Sequence, residues 1–236
     1  MAIRHLGLLK TTLLDYPGEV AATVFTSGCN LKCPYCHNPE LASGDTVGDE
    51  ISISDFLKFA ENRKNVLGGI CITGGEPLIH EDLKDLIFEI KKTGLKVKLD
   101  TNGTFPDRMK HLDIDYISMD LKTGLEKYPT LLSESQPPNL VKRLKESIHF
   151  LKTSGLPHSF RTTAVPGITT DDDMEEILKI IEGEEEFYLS GFRPGHTLDP
   201  AFNSITPYSE EWLLKWQKRI EDSGTKCVVR LNLTHG

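Results

Sequence analysis

The sequence predicts an α/β fold built on a mainly parallel β-sheet. Apolar, β-rich runs alternate with amphipathic stretches along most of the chain, and such alternation is typical of parallel strands joined by helical crossovers. The segments that follow these runs hold most of the unusual residues, including cysteines, a glycine pair and several acids. With 236 residues, of which 38% are hydrophobic and 26% charged, we expect residues 1–236 to form a single domain.

Seven runs are predicted as strands because they are rich in β-branched, aromatic and other apolar residues. They cover 20–26, 68–73, 95–100, 115–120, 158–165, 186–190 and 226–233. Five amphipathic stretches are predicted as helices, and they cover 54–64, 80–94, 139–155, 171–183 and 209–224. Ser54 and Asn139 are candidate N-caps, and Gly94 and Gly155 follow last helical turns, as helix-ending glycines do. Six strand–helix units are compatible with a partial or full β/α barrel and with an open doubly wound sheet.

Function is expected in the segments after the strands, because ligands bind at the carboxyl ends of parallel strands in both architectures. These segments are 27–40, 74–80, 101–106, 121–124, 166–173 and 191–196. Their shared location is a stronger indication of a site than any one motif within them.

The net charge of −8 argues against a general nucleic-acid-binding protein, since phosphate binding needs clustered Lys and Arg. No apolar run approaches the roughly 18–20 residues that span a bilayer, so we expect no membrane partner. The first residues lack the apolar core of a signal peptide. We therefore expect a cytoplasmic protein.

Three of the five cysteines lie within eight residues, at Cys29, Cys33 and Cys36; we call them the cysteine motif. Close thiols in a cytosolic chain favour a metal site over disulfides. Three thiolates leave one iron of a four-iron cluster without a protein ligand, and such an iron can bind a small molecule. The alternatives are zinc held by the motif and His37, or unliganded thiols. Cys71 and Cys227 stand alone and are expected to be inert buried thiols.

The segment CNLKCPYC matches the C-x3-C-x2-C signature of the radical S-adenosylmethionine (radical SAM) enzymes, which it resembles. Its context CPYCHNPE is similar to that of glycyl-radical-enzyme activases. The longer stretch KTTLLDYPGEVAATVFTSGCNLKCPYCHNPEL resembles the activating proteins of anaerobic (class III) ribonucleotide reductases, which are related to the pyruvate formate-lyase activating enzymes. The resemblance implies a partial (β/α)6 radical SAM barrel with a short C-terminal extension.

The resemblance also implies a set of cofactor contacts. The cysteine motif would hold a [4Fe-4S] cluster, whose open iron would bind the amino and carboxylate groups of S-adenosylmethionine. Tyr35 and the backbone at His37 would lie against the adenine. The GGEP segment (Gly74, Gly75, Glu76 and Pro77) resembles the family motif that binds the methionine amino group. Two glycines also let a backbone approach a ligand closely, although GGEP alone is more often a turn.

Further family positions follow later strands. Asp100 and Asp120 match two aspartates that, in the activases, form a monovalent cation site beside the cofactor. The main-chain carbonyls of Thr101 and Met119 would complete that site, and Lys122 would help to hold the cofactor.

Arg193 stands where the related activases carry a histidine that touches the cofactor, and His196 lies three residues further on. Arg193 is suited to bind the carboxylate of S-adenosylmethionine in a bidentate way, although a surface arginine is the plain alternative. In segment 166–173 the acids are better explained by helix capping, with Asp171 as the cap.

The implied reaction needs no acid–base residue from the protein, and none is assigned. A donor such as flavodoxin or ferredoxin supplies one electron to the cluster, and S-adenosylmethionine is cleaved to methionine and a 5′-deoxyadenosyl radical. That radical removes a hydrogen atom from a glycine of a partner glycyl radical enzyme, with anaerobic ribonucleotide reductase the best guess. Lys91, Lys92, Lys96 and Lys98 form a small basic group that is either a solvated face or a docking place for an acidic donor.

Two other functions remain open on the sequence. A small-molecule radical SAM enzyme resembling the 7-carboxy-7-deazaguanine synthases shares GGEP-like motifs and a compact size. A non-catalytic zinc-binding module would use the same cysteines in another way.

Overall fold

A computed structural model describes residues 2–3, 5–44, 50–131 and 139–231. The chain divides into two compact units whose segments alternate along the sequence. The first unit comprises Met1–Leu31, Asn38–Thr101 and Phe105–Ser118; the second comprises Lys32–His37, Asn102–Thr104 and Met119–Gly236. The expectation of a single domain over 1–236 stays a prediction.

The first unit contains a sheet with parallel strands at its centre and antiparallel strands at one edge. Its strands are β1 (His5–Thr12), β2 (Ala21–Thr26), β3 (Glu50–Ser52), β4 (Gly69–Gly74), β5 (Lys96–Thr101) and the start of β6 (Tyr116–Asp120). The order of the first five is β3-β1-β2-β4-β5. Strands β2, β4 and β5 pair in parallel, whereas β1 pairs antiparallel with both β2 and β3. Strands β1 and β3 are not among the strands predicted from the sequence.

The helices of the first unit are α1 (Pro39–Ser43), α2 (Ile53–Arg63), α3 (Leu83–Lys92) and α4 (Pro106–Met109), with a 3-10 turn at Pro77–Ile79. Helix α3 buries one apolar stripe, which is the reason its period could be seen in the sequence. It ends as predicted, because Gly94 follows with a φ of 86°.

The predicted cap of helix α2 is wrong by two residues. Ser52, not Ser54, is the N-cap, and its side chain accepts a hydrogen bond from the Asp55 amide. Ser52 is extended, as an N-cap requires, whereas Ser54 lies inside the first turn. Two nearby serines carry the same capping chemistry, so the backbone conformation decides between them.

The second unit contains the end of β6 and three further strands, β7 (His158–Ala164), β8 (Glu186–Gly191) and β9 (Lys226–Arg230). Strands β7 and β8 pair in parallel, as do β8 and β9. The helices are α5 (Leu140–Ser154), α6 (Asp171–Ile181) and α7 (Glu210–Asp222), and 3-10 turns lie at Leu125–Leu131 and Pro200–Ser204. The predicted last strand reached residue 233, and its residues 232–233 lie outside the described ranges.

Two further caps differ from the expectation. Thr170 caps α6 and forms a reciprocal capping box with Asp173, so Asp171 is the first helical residue and not the cap. Asn139 does occupy the N-cap position of α5, but its φ is 62° and its side chain makes no capping hydrogen bond. Asparagine tolerates this left-handed conformation better than most residues, which gives a second reason for its place there.

The predicted α/β fold with a parallel sheet is confirmed, and the alternation of strands and helices is consistent with a partial barrel. Strand β8 and helix α7 form the last strand–helix unit of that pattern, and strand β9 follows it. Within the described ranges, no helix is long and apolar enough to cross a bilayer.

We predict that Ser52→Ala lowers the free energy of unfolding by about 1 kcal/mol, because the Asp55 amide loses its acceptor. Ser54→Ala is the matched control and should cost less than about 0.5 kcal/mol. Chemical denaturation of the two variants measures the difference. Equal losses would contradict the assignment of Ser52 as the cap.

Candidate functional site

The glycines of the GGEP segment lie against the chain's own backbone in the first unit. A Cβ atom built on Gly74 would lie 2.3 Å from the Thr26 carbonyl oxygen, and one built on Gly75 would lie 2.0 Å from the Gly28 carbonyl oxygen. Gly74 also has a φ of 118°, which disfavours any side chain. The two glycines therefore allow close approach to the backbone segment that leads into Cys29, whereas their approach to a ligand stays a prediction.

Glu76 is fully buried, with 0% of its surface exposed. Its carboxylate accepts hydrogen bonds from the Leu78 amide (3.1 Å) and from the Thr101 hydroxyl (2.8 Å). Glu76 thus caps the turn that begins at Pro77 and ties it to the end of β5. Its contact with a methionine amino group stays a prediction.

Asp100 lies at the end of β5 and pairs with Lys98, which is only 3% exposed. The Lys98 ammonium also lies 3.8 Å from the Cys71 sulfur. Lys98 was predicted to lie on a solvated face or at a docking place, whereas the structure buries it. The available signal was the two-residue period of a strand, which puts Lys98 and Asp100 on one face.

The other members of that basic group also have acidic partners within the first unit. Lys91 pairs with Asp115, Lys92 with Glu89 and Lys96 with Glu19. Each positive charge is offset locally, so the group offers little net attraction to an acidic donor.

Cys33 and Cys36 lie in the second unit, and the Cys36 amide donates to the Cys33 carbonyl (3.0 Å). Cys33 and Tyr35 are buried. Burial raises the pKa of the Cys33 thiol, and the neighbouring Lys122 charge acts in the opposite direction. Burial likewise holds the pKa of Tyr35 above its usual range. The Lys122 charge thus offsets part of the cost that burial imposes on the thiolate form, which metal binding needs.

Asp120 accepts hydrogen bonds from two cations in the second unit. Lys122 Nζ donates to one carboxylate oxygen (2.9 Å), and Arg161 Nε donates to the other. Burial alone would raise the pKa of Asp120, but the Arg161 and Lys122 charges outweigh it and hold the pKa well below its usual range. Asp120 is therefore ionised and its charge is compensated by the chain itself.

Tyr128 forms hydrogen bonds with the backbone of the segment that contains Asp120 and Lys122. Its hydroxyl donates to the Asp120 carbonyl (3.0 Å) and accepts from the Lys122 amide (2.8 Å). Neither Tyr128 nor Arg161 was among the predicted site residues. Arg161 had a weak signal, being the charged residue of strand β7, but Tyr128 lies in the 3-10 turn Leu125–Leu131, which is too short for a hydrophobic period to mark it.

The segment around Arg193 contacts the cysteine-bearing loop of the second unit. The His37 Nε2–H donates to the Arg193 carbonyl at 2.5 Å. The Leu198 amide donates to the Cys36 carbonyl (3.0 Å), and the Asp199 amide to the Pro34 carbonyl (2.9 Å). The Arg193 backbone therefore supports the loop, whereas contact between its exposed side chain and a cofactor carboxylate stays a prediction.

The three cysteines of the cysteine motif are free thiols, and so are the two isolated cysteines, Cys71 and Cys227. Cys29 belongs to the first unit, where its sulfur accepts a hydrogen bond from the Leu31 amide (3.4 Å). Cys71 and Cys227 are buried as expected, and burial raises the pKa of Cys227 to about 12.

Among the residues the structure describes, no group of three or more His, Cys, Asp or Glu side chains is placed to hold one metal ion.

We predict that Arg161→Gln lowers the free energy of unfolding by about 1–3 kcal/mol, because Asp120 loses a charged hydrogen-bond partner. Arg219→Gln is the control, since Arg219 forms a half-exposed pair with Glu175 at 2.6 Å and should contribute less than about 1 kcal/mol. Denaturant unfolding at neutral pH compares the two. A loss no larger for Arg161→Gln than for Arg219→Gln would contradict this role.

Solved structures of other proteins have a fold similar to that of this chain. The chain aligns with the crystal structure of Streptococcus suis SuiB bound to S-adenosylmethionine with a TM-score of 0.64 at 14% identity, covering 87% of this chain and 48% of SuiB. The chain thus spans about half the length of SuiB. At this identity the likeness shows a shared fold alone.

Three curated relatives extend the comparison to sequence. A Methanocaldococcus jannaschii protein with the provisional name glycyl-radical enzyme activating enzyme is 32% identical over 95% of this chain and 94% of its own length. The pyruvate formate-lyase-activating enzyme of Listeria monocytogenes is 29% identical over 72% of this chain and 71% of its own. The 7-carboxy-7-deazaguanine synthase of Methanopyrus kandleri is 33% identical, but over 45% of this chain and 51% of its own.

A profile of the radical SAM superfamily matches residues 23–181. This range contains the cysteine motif, the GGEP segment and both aspartates of the predicted cation site. Membership of this superfamily implies an enzyme that uses a [4Fe-4S] cluster and S-adenosylmethionine. Because the profile covers more than half of the chain and the Methanocaldococcus relative is similar over nearly all of it, the chain belongs to the radical SAM superfamily.

Proposed function

We propose that this chain activates a glycyl radical enzyme by creating a radical on a glycine of that partner. The observation that carries the proposal is the similarity to the Methanocaldococcus activating enzyme, which extends over almost the full length of both chains. Similarity to the pyruvate formate-lyase-activating enzymes covers less of the chain and supports the same class of reaction.

Cys29, Cys33 and Cys36 are the proposed ligands of a [4Fe-4S] cluster. The donor chemistry fits, since soft thiolates are the usual ligands of iron–sulfur clusters. The Leu31 amide donates to the sulfur of Cys29, and hydrogen bonds of this kind tune the potential of a cluster.

The proposed S-adenosylmethionine contacts are Tyr35, the His37 backbone, the GGEP segment, Asp100, Asp120, Lys122 and Arg193. Two of these residues have hydrogen bonds that fix their side chains: the Glu76 carboxylate accepts two, and the Lys122 ammonium donates to Asp120. When bound, the cluster and S-adenosylmethionine supply one-electron reductive cleavage of a sulfonium to a carbon radical. The protein orients the reactants and excludes water from them, and the buried Tyr35 contributes to that exclusion.

The partner is proposed to be an anaerobic (class III) ribonucleotide reductase, on the resemblance of the stretch that leads into and includes the cysteine motif. Flavodoxin or ferredoxin is the proposed electron donor, and the cytoplasm is the proposed location. The pairing of Lys91, Lys92 and Lys96 with acids gives no support to a donor site at those lysines.

Electron paramagnetic resonance tests the activity directly. We expect the reconstituted chain with dithionite and S-adenosylmethionine to produce a glycyl doublet on purified anaerobic ribonucleotide reductase, together with 5′-deoxyadenosine. Pyruvate formate-lyase is the comparison partner, and a doublet on it alone would reassign the partner while keeping the reaction class. Cys36→Ala should abolish both products, because the cluster loses a ligand. Wild-type rates in that variant would refute the ligand assignment.

A 7-carboxy-7-deazaguanine synthase is the second candidate, since the Methanopyrus enzyme is 33% identical over part of the chain. Formation of 7-carboxy-7-deazaguanine without a protein radical would establish that activity. A colourless protein that binds one zinc ion and leaves S-adenosylmethionine intact would overturn both enzymatic proposals.

We further propose a monovalent cation at Asp100, Asp120 and the carbonyls of Thr101 and Met119, because hard oxygen donors suit such an ion. Each of the two carboxylates already forms an ion pair with a lysine, so the cation would add positive charge to carboxylates that are already paired. Replacing potassium by choline should weaken S-adenosylmethionine binding, as measured by calorimetry. Equal affinity in the two buffers would show that the protein's own cations suffice.

A further inference from the structure

Three consecutive carbonyl groups lie at the end of strand β2, immediately before Cys29, and each accepts a hydrogen bond from residues 75–80. The Gly75 amide donates to the Thr26 carbonyl (2.9 Å), and the Glu76 amide donates to the Gly28 carbonyl (2.8 Å). Between them, His80 Nε2 lies 2.9 Å from the Ser27 carbonyl. A carbonyl oxygen only accepts, so Nε2 of His80 carries the hydrogen.

We propose that His80 is a positioning residue that fixes the backbone from which Cys29 projects. Its bond to Ser27 is the one contact of the three that a side chain makes, and it joins residues 53 positions apart in sequence. His80 is only 3% exposed, so water cannot readily replace its donor. The assignment of Cys29 as a cluster ligand, on which this proposal rests, belongs to the proposed function.

The place of His80 is itself rigidly set. The turn before it begins at Pro77 and is capped by the buried carboxylate of Glu76. The Leu78 carbonyl within this turn accepts from Arg108 (2.8 Å), and the His80 amide closes the turn on the Pro77 carbonyl (3.2 Å). A donor held this firmly limits the movement of the Ser27 carbonyl, and with it the direction of the chain at Cys29.

Side-chain chemistry provides matched variants. Glutamine carries an amide N–H the same number of bonds from Cβ as His80 Nε2, so His80→Gln preserves the donor. Asparagine is one bond shorter, and leucine has no donor. His111 lines the same cavity of about 290 Å³ as His80, but it is exposed, so His111→Leu is the control for a nearby loss of imidazole.

Hydrogen–deuterium exchange over residues 26–31 of the cluster-free chain is the first measurement. We expect His80→Leu to speed exchange about ten-fold, since a buried acceptor loses its donor, while His80→Gln stays within about two-fold of wild type. His111→Leu should match wild type. If His80→Leu does not fold, His80→Asn against His80→Gln makes the same comparison. Unchanged exchange in the donor-free variant, or equal acceleration by His80→Gln, would overturn the proposal.

Retention of the reconstituted cluster is the second measurement. Under an iron chelator, His80→Leu should lose iron several-fold faster than wild type, and His80→Gln should restore the wild-type rate. Equal loss from wild type and His80→Leu would contradict a role in holding Cys29. If the wild-type chain assembles no cluster at all, the proposed function fails, while the exchange measurement still decides the role of His80.

Discussion

The close approach of two backbone segments in the first unit is the constraint on which the cysteine-bearing region depends. Strand β2 pairs with β4 in register up to Thr26 opposite Gly74. Beyond that point the chain turns so tightly past residues 26–28 that no Cβ fits at Gly74 or Gly75. Amide and imidazole donors then satisfy three successive carbonyls. The first cysteine therefore follows a stiff strand end, even though it lies in a loop.

Internal charge compensation is the second organising feature. Asp100 at the end of β5 forms an ion pair with Lys98. Asp120 at the end of β6 forms ion pairs with Lys122 and Arg161. Buried or half-buried ion pairs add little stability compared with apolar residues of similar size, so stability does not explain them well. Charged groups held in fixed positions at strand ends are suited to orienting a charged cofactor without reorganisation.

Much of this arrangement could be predicted from the sequence, but the N-caps of α2 and α6 and strands β1 and β3 could not. The parallel strands and long helices stood out because their apolar periods are strong. Strand β1 is half exposed along most of its length, so its pattern is weak, and β3 has only three residues. Ser52 and Thr170 cap their helices in place of Ser54 and Asp171 because side-chain type alone does not reveal which residue is extended.

The cysteine motif and its neighbouring residues predicted the family by resemblance, and the profile match over residues 23–181 established it. The sequence also predicted the order of the central parallel strands and the long helices, because hydrophobic period is local. The tertiary structure alone decided which cations meet Asp100 and Asp120, that Lys98 is buried, and that His80 reaches the Ser27 carbonyl. These contacts join residues on different elements or bury them together, and no local pattern specifies which side chains the folded backbone brings within hydrogen-bonding distance.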